Sequence, residues 1–138
     1  ALEITESTGI PYSAFLTAPV RKRNFRIIKA GLTRSRAELY KRIDERVDKM
    51  IQEGLEEEAA SLKEYRGLNA LNTVGYREMF KMFDGEITRE QAVTLIKRNT
   101  RRYARKQLTW WNRDSEINWF DASEQERLYS WIDSKLGE

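Results

Sequence analysis

Two ladders of like charge carry the clearest chemistry in the chain. Lys97, Arg101 and Arg105 recur every four residues, and so do Arg98, Arg102 and Lys106. No Asp or Glu occurs between Glu90 and Asp114. A solvated helix face ordinarily mixes signs, because i,i+4 Glu–Lys pairs help while like pairs cost about 0.2–0.5 kcal/mol. A helix that keeps such repulsion points to a polyanion, with nucleic acid or phosphate as the class. Arginine outnumbers lysine among the six, which suits forked contacts to phosphate oxygens. An ordinary solvated face stays open as the alternative.

These cations need a helix to hold them in phase. Thr88 and Gln91 have the spacing of a capping box, and no Gly or Pro follows before Asn112. At about 1.5 Å per residue the predicted helix is a rod of roughly 35 Å. Ala92, Ile96, Thr100, Tyr103, Gln107 and Trp111 fall on one arc, with Val93 and Ala104 beside them. This apolar arc predicts Tyr103 and Trp111 in the core, although Tyr103 could instead be a stacking platform. Trp110 is undecided.

Residues 1–7 end a helix closed by Ser7-Thr8-Gly9, and Pro11 to Leu16 forms a short helix. Thr17 to Asn24 is a basic connector containing Pro19. Phe25 to Leu32 is the best strand candidate, with Ile117 to Phe120 as the one other. A strand leaves backbone groups unpaired at its edges, so chain outside this sequence is expected to complete the sheet. Ser35 and Glu38 suggest a capping box before a helix carrying Leu39, Ile43, Val47, Met50 and Ile51, broken at Gly54. Glu56-Glu57-Glu58 heads a second helical segment to about Tyr65, where its charge is favoured and is expected to be solvated. Gly67 to Asn72 is a loop, and Val74 to Phe83 a short helix. Gly75 is expected at a point of close packing, and Arg77 as a phosphate contact or a cap. Ser123 and Glu126 suggest a last capping box, opening a helix with Leu128, Trp131, Ile132 and Leu136.

Composition narrows the function classes. A chain of 138 residues, 40% hydrophobic and 34% charged, is long enough to bury a core and suits a helical globular domain. The net charge of +3 hides an uneven distribution. Residues 21 to 36 carry Arg21, Lys22, Arg23, Arg26, Lys29, Arg34 and Arg36 and no acid, whereas the tail from Asp114 is acidic. Without cysteine there is no disulfide, and without histidine the usual neutral-pH base and the commonest zinc ligand are missing. No run approaches the roughly 20 apolar residues of a membrane span, so a cytoplasmic protein without a membrane partner is expected. The chain opens on Ala1-Leu2-Glu3-Ile4, as though in mid-helix, and is expected to be a cut piece.

Three segments in order carry a resemblance. They are Arg42-Ile43-Asp44-Glu45-Arg46-Val47-Asp48 with Met50 and Gly54-Leu55, then Val74-Gly75-Tyr76-Arg77-Glu78, then the run from Thr100 to Trp110, TRRYARKQLTW. Together the chain resembles the C-terminal part of the tRNA dimethylallyltransferases (isopentenyltransferases), over residues 1 to about 121. The implied fold is mainly α with two short strands, a C-terminal remnant of a P-loop-type α/β core. Residues 1–20 would be the returning arm of the family's helical insertion domain, and 21–138 the C-terminal part of the catalytic core.

The resemblance also implies an activity. The family transfers a dimethylallyl group from dimethylallyl diphosphate to the exocyclic amine of the adenosine beside the anticodon. Its N-terminal half holds the P-loop, which grips the diphosphate with magnesium, and an Asp that acts as base. No GxxxxGK[ST] occurs here, so the fragment alone is expected to be inactive, without bound cofactor or metal site. Arg46 matches the family arginine that faces the diphosphate, where a fixed cation meets charge growing on the leaving group. Read without the family, Arg46 is a helix-surface partner for Asp44, Glu45 or Asp48. Arg42 is a weaker candidate. Gly67, Leu68, Asn69, Ala70, Leu71 and Asn72 match a loop that touches tRNA. Thr100, Arg101, Arg102, Tyr103, Ala104, Arg105, Lys106 and Gln107 match a second tRNA-contacting stretch.

The implied partners are the anticodon stem-loop of a tRNA and the missing N-terminal P-loop half. Self-association of the exposed remnant is expected. Two competing classes stand beside this one. One is a stand-alone helical nucleic-acid-binding module without catalysis; the other is an adaptor whose basic helix meets an acidic protein.

Overall fold

Local hydrogen bonds set most of the helix boundaries, and the boundaries decide which faces meet. In the computed structural model, which describes residues 2–16 and 24–137, the elements run α1 (Leu2–Thr8), α2 (Tyr12–Leu16), β1 (Ala30–Thr33), α3 (Arg36–Gln52), α4 (Leu55–Ser61), α5 (Tyr76–Phe83), α6 (Arg89–Trp111), β2 (Asn118–Asp121) and α7 (Gln125–Leu136). Short 3-10 turns at Lys63–Tyr65 and Asn69–Leu71 shape the connection from α4 to α5. The connector around Pro19, the cluster Arg21-Lys22-Arg23 and the expected boundary between residues 20 and 21 lie outside the described residues.

The box at the head of α6 forms as expected. Gln91 N–H donates to Thr88 Oγ1 (3.2 Å) and Thr88 N–H donates to Gln91 Oε1 (2.8 Å). At α3 only half a box forms: Glu38 N–H donates to Ser35 Oγ, while the Glu38 carboxylate turns to Arg34. The Ser123/Glu126 box does not form. Asp121 Oδ1 takes both the Ser123 N–H (2.9 Å) and its hydroxyl (2.6 Å), and α7 begins behind Glu124 without a side-chain cap.

Gly54 separates α3 from α4 with φ +100°, a left-handed conformation that costs glycine nothing and lets the chain turn sharply. Gly75 corrects the close-packing expectation. A Cβ there would meet nothing within 4 Å, and the position requires glycine because φ is +108°.

The core lies where α3, α4, α5 and α6 meet, around Val47, Leu55, Ala59, Met79, Phe80 and Ile96. Only the N-terminal half of the α6 arc enters it. Ala92 and Ile96 are buried, but Tyr103 is 59% and Trp111 52% exposed, against the core expectation for both; Trp110 is exposed as well. Periodicity selects a face, and along the last turns of α6 that face has too little chain opposite it.

The two strands pair in parallel, Ala30 opposite Asn118 through Thr33 opposite Asp121. The first strand is therefore shorter and later than Phe25–Leu32, because its partner spans only Asn118–Asp121. Among the described residues each strand has one neighbour, leaving two open edges. The chain is mainly α with two short strands, as the sequence predicts.

Candidate nucleic-acid interface

Helices α3 and α6 run antiparallel, and charge joins them one turn at a time. Lys97 Nζ lies 2.6 Å from Asp48, and one turn on, Arg101 Nη1 reaches both oxygens of Asp44 at 2.6 and 2.7 Å. The next turn of α3 presents Tyr40 instead of an acid, and the Arg101 guanidinium sits 5.8 Å from its ring centroid. Two of the six ladder cations are thus neutralised inside the fold. Arg98, Arg102, Arg105 and Lys106 are exposed and have no carboxylate partner among the described residues.

A cleft of about 580 Å³ opens between α3, the residues before α5, and α6. Its floor is apolar, with Ile43, Val47 and Ile96. Around it stand Arg46 from α3, Asn72 and Thr73 from the loop, Arg77 from α5, and Thr100 and Tyr103 from α6. The helix-surface alternative for Arg46 is not realised. Asp44 is held by Arg101, Asp48 by Lys97, and Glu45 lies 3.8 Å from Lys41. Among the described residues no carboxylate lines the cleft.

The stretch from Thr100 to Gln107 divides by direction. Thr100 and Tyr103 line the cleft, and Arg101 is paired. Ala104 and Gln107 line a second cavity of about 910 Å³ beside the strands, and Arg102, Arg105 and Lys106 face solvent. The loop divides too: Asn72 reaches the cleft, whereas Gly67, Leu68, Asn69 and Ala70 are exposed away from its lining. Leu71 is half-buried against the core.

Glu78 is a structural residue that sequence pattern alone did not single out. It is buried, accepting from Gly75 N–H (2.8 Å) and from Asn99 Nδ2 (2.8 Å), and so ties the start of α5 to α6. The usable signal was Asn99, the one asparagine of α6, with a carboxylate three residues after Gly75. The acidic triplet lies at the surface as expected, with Glu57 and Glu58 exposed, but two of its members are engaged. Glu56 pairs with Arg89 (2.8 Å), and Glu58 accepts from the Tyr76 hydroxyl (2.7 Å), a bond that raises the tyrosine pKa.

The family model for IPP transferase matches residues 1–114. A tRNA dimethylallyltransferase 2 of Parabacteroides distasonis is 52% identical over 136 residues, covering 99% of this chain and 46% of that protein. A tRNA dimethylallyltransferase 1 of Phocaeicola vulgatus is 54% identical over 134 residues, covering 97% and 45%. The crystal structure of the full-length tRNA isopentenylpyrophosphate transferase from Bacillus halodurans superposes with a TM-score of 0.75 at 36% identity, covering 99% of this chain and 43% of that one. The chain spans under half the length of these relatives.

Proposed function

The chain belongs to the IPP transferase family, and from that premise we propose that it is the C-terminal portion of a tRNA dimethylallyltransferase. The full-length enzyme transfers the dimethylallyl group from its diphosphate to the exocyclic amine of an adenosine beside the anticodon. In that reaction the amine nitrogen bonds to the allylic carbon as the C–O bond breaks. The diphosphate leaves with the bonding electrons, and the amine proton passes to a base outside this chain.

The observation that supports this reading is the cleft. Arg46, Asn72, Thr100 and Tyr103 come from three separate segments, each matching the family for its own reason, and converge on one apolar-floored cavity free of carboxylates. Arg46 would face the departing diphosphate, where a fixed cation stabilises the growing charge. The adenine must leave its stack to reach the donor, and exposed Tyr103 offers it a face. Arg102, Arg105 and Lys106 would lie along phosphates of the anticodon stem-loop, making affinity salt-dependent.

Among the described residues no three acidic side chains gather. Magnesium would depend on the N-terminal half, which carries the P-loop. The same half would cover the open strand edges and the exposed Leu32 and Trp111; without it the chain would self-associate. Among the described residues no helix is long and apolar enough to cross a membrane, and a cytoplasmic setting belongs to this proposal. Residues 1–20 would return from the insertion domain.

The test is prenyl transfer. Full-length protein should incorporate label from dimethylallyl diphosphate into tRNA, and this chain alone should not. Failure of the full-length protein to do so would refute the reading. Tight RNA binding by the chain alone would favour the stand-alone module, a class that the four open cations keep in view.

A further inference from the structure

We infer that Arg77 is a second phosphoryl-binding residue of the cleft, working from α5 where Arg46 works from α3. This assignment rests on the function proposed above. Both arginines line one cavity in which, among the described residues, no acid takes part. The acids nearest in sequence are already engaged. Asp44 and Asp48 serve α6, and Glu78 spends its oxygens on Gly75 N–H and Asn99. Arg77 reaches only the edge of Glu78, at 4.0 Å. Its backbone is fixed nonetheless, since its N–H donates to the Thr73 carbonyl (3.2 Å) and Glu78 locks the first turn of α5.

Two exposed cations that share one apolar-floored cleft, only one of them with a carboxylate in reach and that at 4.0 Å, repel each other. Such an arrangement is favourable once an anion bridges them, because charge-assisted forks to phosphoryl oxygens are strong and directional. The other polar lining groups suit the same ligand, for the Asn72 amide and the Thr73 and Tyr103 hydroxyls can all donate. The phosphoryl group has two sources, the diphosphate of the donor and a backbone phosphate of the RNA.

Titrating the full-length protein separately with inorganic pyrophosphate and with an anticodon stem-loop RNA distinguishes them. Arg77→Gln should weaken one of the two by about tenfold or more, with Arg77→Lys recovering part of the loss, since charge survives without the fork. Loss for pyrophosphate assigns the donor, and loss for RNA assigns the backbone. Affinities for both within about twofold of wild type, or no binding of either by wild type, would overturn the assignment. A wild-type protein that binds but transfers no prenyl group would sink the proposed function while leaving the role of Arg77 standing.

Discussion

Arg101 and Asp44 are joined through a single nitrogen: Nη1 of the arginine contacts both carboxylate oxygens, at 2.6 and 2.7 Å, across the α3–α6 seam. The pair is about one-third exposed, so it contributes at most about 1 kcal/mol to stability. It also withholds the charge of Arg101 from any phosphate. Asp44→Asn should therefore release that charge, tightening binding to the anticodon stem-loop and steepening its salt dependence by roughly one phosphate, about 0.7–0.9 in log–log slope. An unchanged slope in a salt titration would mean that Arg101 faces no RNA even when freed.

Among the described residues Arg105 and Lys106 have no such carboxylate to give up. Replacing both with Ala should weaken binding across tRNA sequences alike and flatten the slope by about 0.7–0.9 for every phosphate left without its cation. Arg101→Ala alone should change it less, because part of its charge already goes to Asp44. If the two experiments gave equal losses, the distinction between paired and open cations would be wrong.

Arg46→Ala should act on a different quantity. The residue has no carboxylate partner among the described residues, so its removal leaves little behind to destabilise. It should lower prenyl-transfer turnover of the full-length enzyme by about 10²–10³-fold, the usual cost of removing one group aimed at developing negative charge. Affinity for tRNA should stay within a few-fold of wild type. Normal turnover would take Arg46 out of the site.

The boundaries of α6 and the break at Gly54 were legible because each depends on a few adjacent residues, and Thr88 with Gln91 closes a box wherever α6 goes. Which ladder cations are free was not, because that depends on α3 crossing α6 in one register, so that Asp44 meets Arg101 and no described acid meets Arg105. Tyr103 and Trp111 failed as core residues for a related reason. An apolar arc states which side of a helix seeks cover, but not whether cover is present in the same stretch of chain. Convergence of Arg46, Asn72 and Thr100 on one cleft is a tertiary fact that residues so far apart in sequence cannot reveal locally.

Gly31 is fixed by contact. A Cβ at this position would lie 2.6 Å from the Trp119 ring on the paired strand, with Ile117 at 3.0 Å. Gly31→Ala must displace that indole or part the strands, at a cost of about 1–3 kcal/mol by analogy with other overpacked sites. A melting temperature unchanged from wild type would show that Trp119 can swing clear.

The strands are also tied by charge, and here pH supplies the test. Lys29 Nζ holds Asp114 at 2.7 Å and Glu116 at 2.6 Å. The hydrogen bond it donates to Asp114, then the one to Glu116, raises the Lys29 pKa above its ordinary value; the bond from Lys29 lowers that of Asp114. The signs define a window. A raised lysine pKa adds stability that is complete below the unfolded-state value, about 10.4, and fades as pH rises through the folded value. A lowered Asp pKa adds stability that is complete above the unfolded-state value, about 3.9, and fades as pH falls through the folded one. Lys29→Met should thus lower the melting temperature by a constant amount from about pH 5 to 9, and by less beyond both ends. A difference that stays constant into strong acid and strong base would mean that packing of the lysine stem, not its charge, holds β1 to the segment before β2.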